Sequence, residues 1–156
     1  MGVVDPFCPV LSPGTPLLEL KRNFMTLGFH LEGEVPPKKN SRINTKSGRS
    51  FPNPRFVQWH DAEKIVVNVQ WELQAGKLPV STPCAISVKF THGDLIARDS
   101  DNQLSSILDL LKDVGVIPDD NWKIVRRISV SNVYEKKNAN CDITIVSLDD
   151  EDPYKS

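Results

Sequence analysis

Apolar residues recur along this chain with two different periods, and the switches between them predict a succession of strands and helices. Met25, Leu27, Phe29 and Leu31 share one parity, as a half-buried strand over 25–35 requires, and Pro36-Pro37 stops it. From Arg55 to Ala75 the period changes: Phe56, Trp59, Ala62, Val66, Val69 and Leu73 recur near every 3.6 residues, predicting a long amphipathic helix ended by Gly76 and Pro79. Cys84 to Phe90 alternates again. Leu104, Ile107, Leu108, Leu111 and Val114 return to helical spacing, and Gly115 stands where a left-handed C-terminal cap would end that helix. Residues 122–134 and 141–148 read as strands with 135–140 as the polar turn between them, so the chain is expected to close in a hairpin. The order β-α-β-α-β-β implies an α+β fold, a single domain with helices packed on one face of a mixed β-sheet.

Composition narrows this. At 156 residues the chain can bury one substantial core without staples. Residues 1–22, with prolines at 6, 9, 13 and 16, are expected to form an irregular extension before a domain over 23–148, and 149–156 an acidic, solvated tail. Cys8, Cys84 and Cys141 are odd in number, scattered and without a CxxC pair, which argues against a disulfide framework or a zinc ribbon and for reduced thiols. No run approaches the ~20 apolar residues of a membrane span, and the N-terminus lacks a basic segment followed by an apolar one. A soluble, cytoplasmic protein with no membrane partner is the expectation.

The formal net charge of −1 hides a segregation. Between Val35 and His60 stand six basic residues, Lys38, Lys39, Arg42, Lys46, Arg49 and Arg55, and no acid, while much of the opposing charge lies in Asp149-Asp150-Glu151-Asp152. Interleaved Asn40, Ser41, Asn44, Thr45, Ser47 and Gly48 suit contact with a phosphate backbone: charge to displace counterions, small donors to fix register. A solvated loop is the plain alternative.

Acids of a different kind flank the second helix. Arg98-Asp99-Ser100-Asp101-Asn102 precedes it and Asp119-Asp120 follows it. Asp99 is expected at a strand's exit and Asp101 at the helix start, which brings both carboxylates to one side. Plain N-capping is the competing account of these residues. A helix of about 14 residues spans about 20 Å, so Asp120 meets Asp99 and Asp101 only if the loop 116–121, with its Pro118, doubles back. Carboxylates from separate places suit Mg²⁺ or Mn²⁺, which can neutralise phosphoryl charge and generate hydroxide for phosphodiester hydrolysis.

These residues, with the helix 104–114, Gly115, and the entry Val35-Pro36-Pro37-Lys38-Lys39-Asn40-Ser41-Arg42, resemble the RusA family of Holliday junction resolvases, small phage and prophage endodeoxyribonucleases. The resemblance covers roughly 29–148. It implies a homodimer that binds a four-way DNA junction and makes paired, symmetric nicks with Mg²⁺ or Mn²⁺, in recombination and repair. It assigns Asp99, Asp101 and Asp120 to metal binding and catalysis, makes Asn102 and Asp119 their supporting neighbours, and puts Lys38, Lys39 and Arg42 where DNA is contacted. Lys46, Arg49 and Arg98 extend the expected DNA-binding set. Where the family commonly carries a lysine one turn after the second acid, this chain has Ser105, a hydroxyl without charge. A junction-binding protein with weak or absent cleavage is therefore the alternative.

His30, His60 and His92 are dispersed, so packing and surface roles are expected of them. Trp59, Trp71 and Trp122 could stack on unpaired bases, although Trp59 falls on the apolar helix stripe, where core packing is expected. Ser41, Ser105 and Ser106 lack His and Asp partners for nucleophilic catalysis.

Overall fold

A computed structural model describes residues 25–38 and 42–148. The expected extension 1–22, the acidic tail 149–156 and Lys39 lie outside the described residues. The elements are β1 (Thr26–Glu32), β2 (Arg42–Asn44), β3 (Ser50–Pro52), α1 (Pro54–Ala75), β4 (Cys84–His92), α2 (Ser100–Val114), β5 (Val125–Tyr134) and β6 (Asn140–Ser147). The mixed sheet with two helices against it is the expected α+β architecture.

Strand order is β1-β6-β4-β5. β6 runs antiparallel to both β1 and β4, and β5 runs parallel to β4. The expected terminal hairpin is thus absent: β5 and β6 lie on opposite sides of β4 and share no ladder. The two strands differ in burial: Ile143 and Ile145 of β6 are enclosed, whereas β5 exposes Ile128, Val133 and Tyr134 as an edge strand can. The segment expected as a basic loop also contains structure, a two-stranded sheet of β2 and β3 whose turn closes through Thr45 N to Arg49 O (2.9 Å) and Gly48 N to Thr45 O (3.0 Å).

The core is one layer between sheet and helices: Leu27, Phe29 and Leu31 of β1, Ile86, Val88 and Phe90 of β4, and Cys141, Ile143 and Ile145 of β6 meet Ile107, Leu110 and Leu111 of α2 and Val67 and Trp71 of α1. Emptying the volume of a side chain such as Phe90 costs about 3–5 kcal/mol. Cys84 and Cys141 are free and enclosed, and burial pushes the Cys141 thiol up to about 12, so neither is a nucleophile. Among the described residues no helix is long and apolar enough to cross a membrane.

Helix α1 begins where Asn53 accepts a bond from Arg55 N (2.9 Å) with Pro54 in the first turn, and ends at Gly76 in the left-handed conformation (φ 55°). Its buried face differs from the expected stripe. His60, Val67 and Trp71 turn inward, while Val69 and Leu73 are exposed. Apolar residues occur all round this helix, so periodicity alone does not identify the inner face. What orients it is polar: Gln74 donates to Gly28 O (2.6 Å) and accepts from Gly28 N (2.8 Å), and Gln70 does the same with His30 O and N (both 2.8 Å). Two glutamine amides thereby replace a neighbouring strand on the free edge of β1.

Replacing Gln70 and Gln74 by Ala should cost about 1 kcal/mol at each position and speed exchange of the Gly28 and His30 amide protons, measured by hydrogen exchange, while the amides of β6 stay protected. On the opposite face of β1, His30 lies 2.6 Å from Asp142 and 2.9 Å from Glu32, and these hydrogen bonds, the one to Asp142 foremost, raise its pKa above the ordinary 6.5. The stabilisation is complete below the unfolded-state value and is lost as pH rises through the folded-state value. His30→Gln should therefore lower the melting temperature relative to the parent at about pH 6, with the gap closing by about pH 9; a gap independent of pH would contradict this.

Candidate functional site

The N-terminal end of α2 is built by two segments that converge on it. The first is the strap 34–38 that leaves β1. Gln103, fully enclosed in the first turns of α2, donates through Nε2 to Val35 O (2.8 Å) and to Glu34 Oε1 (2.9 Å), and Ser106 Oγ donates to Pro36 O (2.5 Å). Pro36 and Pro37 have no amide hydrogen to offer, so the strap is fixed by carbonyls and side chains. Lys38 N then approaches Asn102 O (3.5 Å), which brings the start of the basic segment beside the acidic motif.

The second segment is the loop 93–98, which enters from β4. Asp94 accepts from Ile96 N (3.0 Å) and is clamped by both terminal nitrogens of Arg98 (2.7 and 3.0 Å), which hold its carboxyl down to about 2. Arg98 Nε also faces Glu34 Oε1 at 3.5 Å. Glu34 Oε1 in turn meets His92 Nδ1 (2.6 Å), whose Nε2 meets Asn132 (2.8 Å), and Asn132 reaches Ser100 Oγ (2.9 Å). Gly93 is needed at the base of the loop, because a Cβ there would lie 3.1 Å from Ala139 N. Arg98, expected to hold phosphate, already spans two carboxylates. Glu34, Asp94, Gln103 and Asn132 were not singled out from the sequence, and His92 was expected only to pack or lie at the surface; the Asp94-to-Arg98 spacing carried the one signal.

Asp99 occupies the N-cap of α2 with extended backbone (φ −82°, ψ 114°), yet its side chain makes no capping bond; among the described residues Oδ2 accepts from Asn102 Nδ2 at 3.3 Å. It is exposed and opens onto a cleft of about 290 Å³ lined by Pro37, Ala97, Arg98, Asn102 and Gln103. Plain capping does not account for it. Six residues, 93–98, separate it from β4, so it lies beyond the strand's exit rather than at it. Asp101 is exposed in the first turn, and Ser105 Oγ donates to its backbone carbonyl (2.9 Å).

The other acids are at the far end. α2 runs its 15 residues, about 22 Å, to Gly115 in the left-handed conformation (φ 97°). The loop beyond it does not double back: Val116 and Ile117 enter the core, and the chain proceeds to β5 beside Cys84, the opposite end of β4 from Asp99. Asp120 faces Lys112 Nζ (3.4 Å), while Asp119 accepts from Asp120 N and Asn121 Nδ2 (both 2.8 Å), bonds that lower its pKa. Asp99 and Asp101 thus stand at the start of α2, and Asp120 lies beyond its other end.

Among the described residues, the three acidic or imidazole groups whose ligand atoms do converge, all within 4.8 Å, are His60 of α1 with Asp109 and Asp113 of α2. His60 Nε2 lies 2.6 Å from Asp113 and Lys38 Nζ 2.7 Å from Asp109. Lysine thereby supplies the positive charge that these carboxylates need, and the expected DNA-contacting Lys38 is tied to α2. Lys46 and Arg49 are exposed on the β2–β3 turn; Arg42 lies in β2.

A family model described as Endodeoxyribonuclease RusA matches residues 32–146. A curated relative, the crossover junction endodeoxyribonuclease RusA of Aquifex aeolicus (strain VF5), is 37% identical over 90 residues, which cover 54% of this chain and 64% of that protein. The chain thus spans less than two thirds of the length of that relative.

Proposed function

The chain belongs to the RusA endodeoxyribonuclease family, and from that premise we propose that it is a metal-dependent, structure-selective endodeoxyribonuclease that resolves four-way DNA junctions by paired phosphodiester hydrolysis. The observation that carries this is Asp99, a carboxylate at a helix N-cap that is released from capping and turned to solvent beside Asp101 and the strap leading to Lys38.

Exposed carboxylate oxygens are the donor set that Mg²⁺ or Mn²⁺ prefers, and Asp99 and Asp101 would hold such an ion. Bound there, it would offset negative charge on the scissile phosphate and lower the pKa of a water. The protein's own part is positioning. Gln103 and Ser106 pin the strap, Arg98 braces the loop through Asp94 and Glu34, and both fix the first turn of α2 on which the acids stand. Lys46 and Arg49 on the β2–β3 turn supply phosphate contacts away from the acids, which steer and register the duplex arms.

The length of α2 supports a shared centre. With the 15 residues of α2, about 22 Å of helix, between Asp99 and the loop that carries Asp120, the three acids serve one phosphate only if Asp120 comes from a second copy. A two-fold homodimer would then carry two such centres, as paired symmetric nicks require. The Ser105 position favours a second reading, a junction-binding protein with slow cleavage, because its hydroxyl is spent on Asp101 O and brings no cation.

Labelled four-way junction and matched linear duplex, incubated with the protein in Mg²⁺ or Mn²⁺, test the activity. Symmetric nicks in the junction alone, reduced at least a hundredfold by Asp101→Asn, are expected. Binding without cleavage in either ion would establish the second reading. Asp99→Asn and Asp120→Asn, each inactive alone, should regain single-strand nicking when mixed, because a mixed dimer holds one intact composite centre. Persistent inactivity of the mixture, with subunit exchange verified by mass, would place all three acids of a centre in one chain.

A further inference from the structure

The cleft at Asp99 shares a wall, Pro37 and Arg98, with a second hollow of about 300 Å³. This hollow is lined on its far side by Phe56 and Trp59 of α1, with Arg55, Arg98 and Glu34 among its polar residues. The Phe56 and Trp59 rings are 6.0 Å apart at 37°, and Phe56 is backed by His60 at 5.7 Å. Trp59 is partly buried, packs against the core as expected, and also forms part of the wall of the hollow next to the acids.

Two polar atoms of this lining are buried without a partner: Trp59 Nε1, a donor, and Glu34 Oε2, an acceptor. Both atoms are closed to solvent, so a ligand in the hollow meets the aromatic and charged side chains of its lining instead. Aromatic faces suit a flat one. Arg55 is exposed, which suits a ligand joined to phosphate. A nucleobase within a DNA strand meets both conditions: it is planar and flanked by phosphodiesters.

We propose that this hollow receives one unstacked base of the strand whose phosphate lies at Asp99 and Asp101. The proposal rests on the nuclease activity proposed above and gives its structure selectivity a physical source. Taking a base out of a continuous duplex costs stacking and pairing, and the cost is least where both are already broken, as at a branch point. A protein that must seat a base beside the scissile phosphate therefore acts on junctions and spares linear DNA.

The test uses Asp101→Asn protein, which keeps the substrate intact, and junctions carrying 2-aminopurine at each of the two nucleotides on either side of the cleaved phosphate. Binding should raise fluorescence several-fold at one of these positions; Trp59→Ala and Arg55→Ala should suppress the rise, and Trp59→Phe should retain most of it. In the cleavage-competent background Trp59→Ala should slow junction cleavage about tenfold, and that difference should vanish on a junction abasic at the same position. Should Trp59→Ala fail to fold by circular dichroism, Arg55→Ala and the response of the native protein to the abasic junction decide. Fluorescence unchanged at all four positions, or native cleavage indifferent to the abasic site, in a protein that still binds and cuts junctions, overturns the base-receiving hollow and leaves the nuclease standing. Failure to bind any junction overturns both.

Discussion

Gln103 is the constraint on which the site depends. Its amide sits enclosed in the first turns of α2 and donates both to Val35 O and to Glu34 Oε1, so one side chain fastens the exit of β1 and the carboxylate hub of the loop to the same turn of helix. A buried amide deprived of those acceptors loses far more than the bonds are worth in water. Val35, also buried, adds an apolar anchor beside it. The exposed groups at this end, Asp99, Asp101 and Lys38, are displayed on a buried base held through Gln103 Nε2, which is how a surface site acquires defined geometry.

The same end of the molecule concentrates opposing charges without neutralising all of them. Arg98 settles the charge of Asp94 and faces Glu34, while Lys38 settles that of Asp109. Asp99, one residue from Arg98, lies outside these pairs. The arrangement separates acids used to hold the protein together from an acid turned outward, and the distinction is invisible in net charge.

Much of this was legible in the sequence. Period-two and period-3.6 patterns located β1, α1, β4 and α2, and Gly115 marked the end of α2 as a left-handed cap. The acidic motif was correctly placed at the start of α2 because N-cap chemistry and apolar spacing agree there. Pairing was not legible. β5 and β6 both alternate and are separated by a short polar segment, the usual sign of a hairpin, yet β6 inserts between β1 and β4, a pairing that only tertiary packing reveals. Nor was the inner face of α1, where apolar residues on all sides leave Gln70 and Gln74, polar and uninformative as pattern, to set the rotation. Convergence across distance failed for the same reason: Lys38 and Asp109, or His60 and Asp113, come together only once both helices lie on the sheet.

The glutamine seal on β1 has a consequence for how copies of this chain can associate. Among the described residues the main sheet has two outer edges, and they are not equivalent: the middle of β1 is occupied by side-chain amides, whereas β5 is laddered to β4 alone. Among the described residues, the amides seated on Gly28 and His30 leave β5 as the edge of the main sheet where a further strand would find a continuous row of backbone groups to pair with.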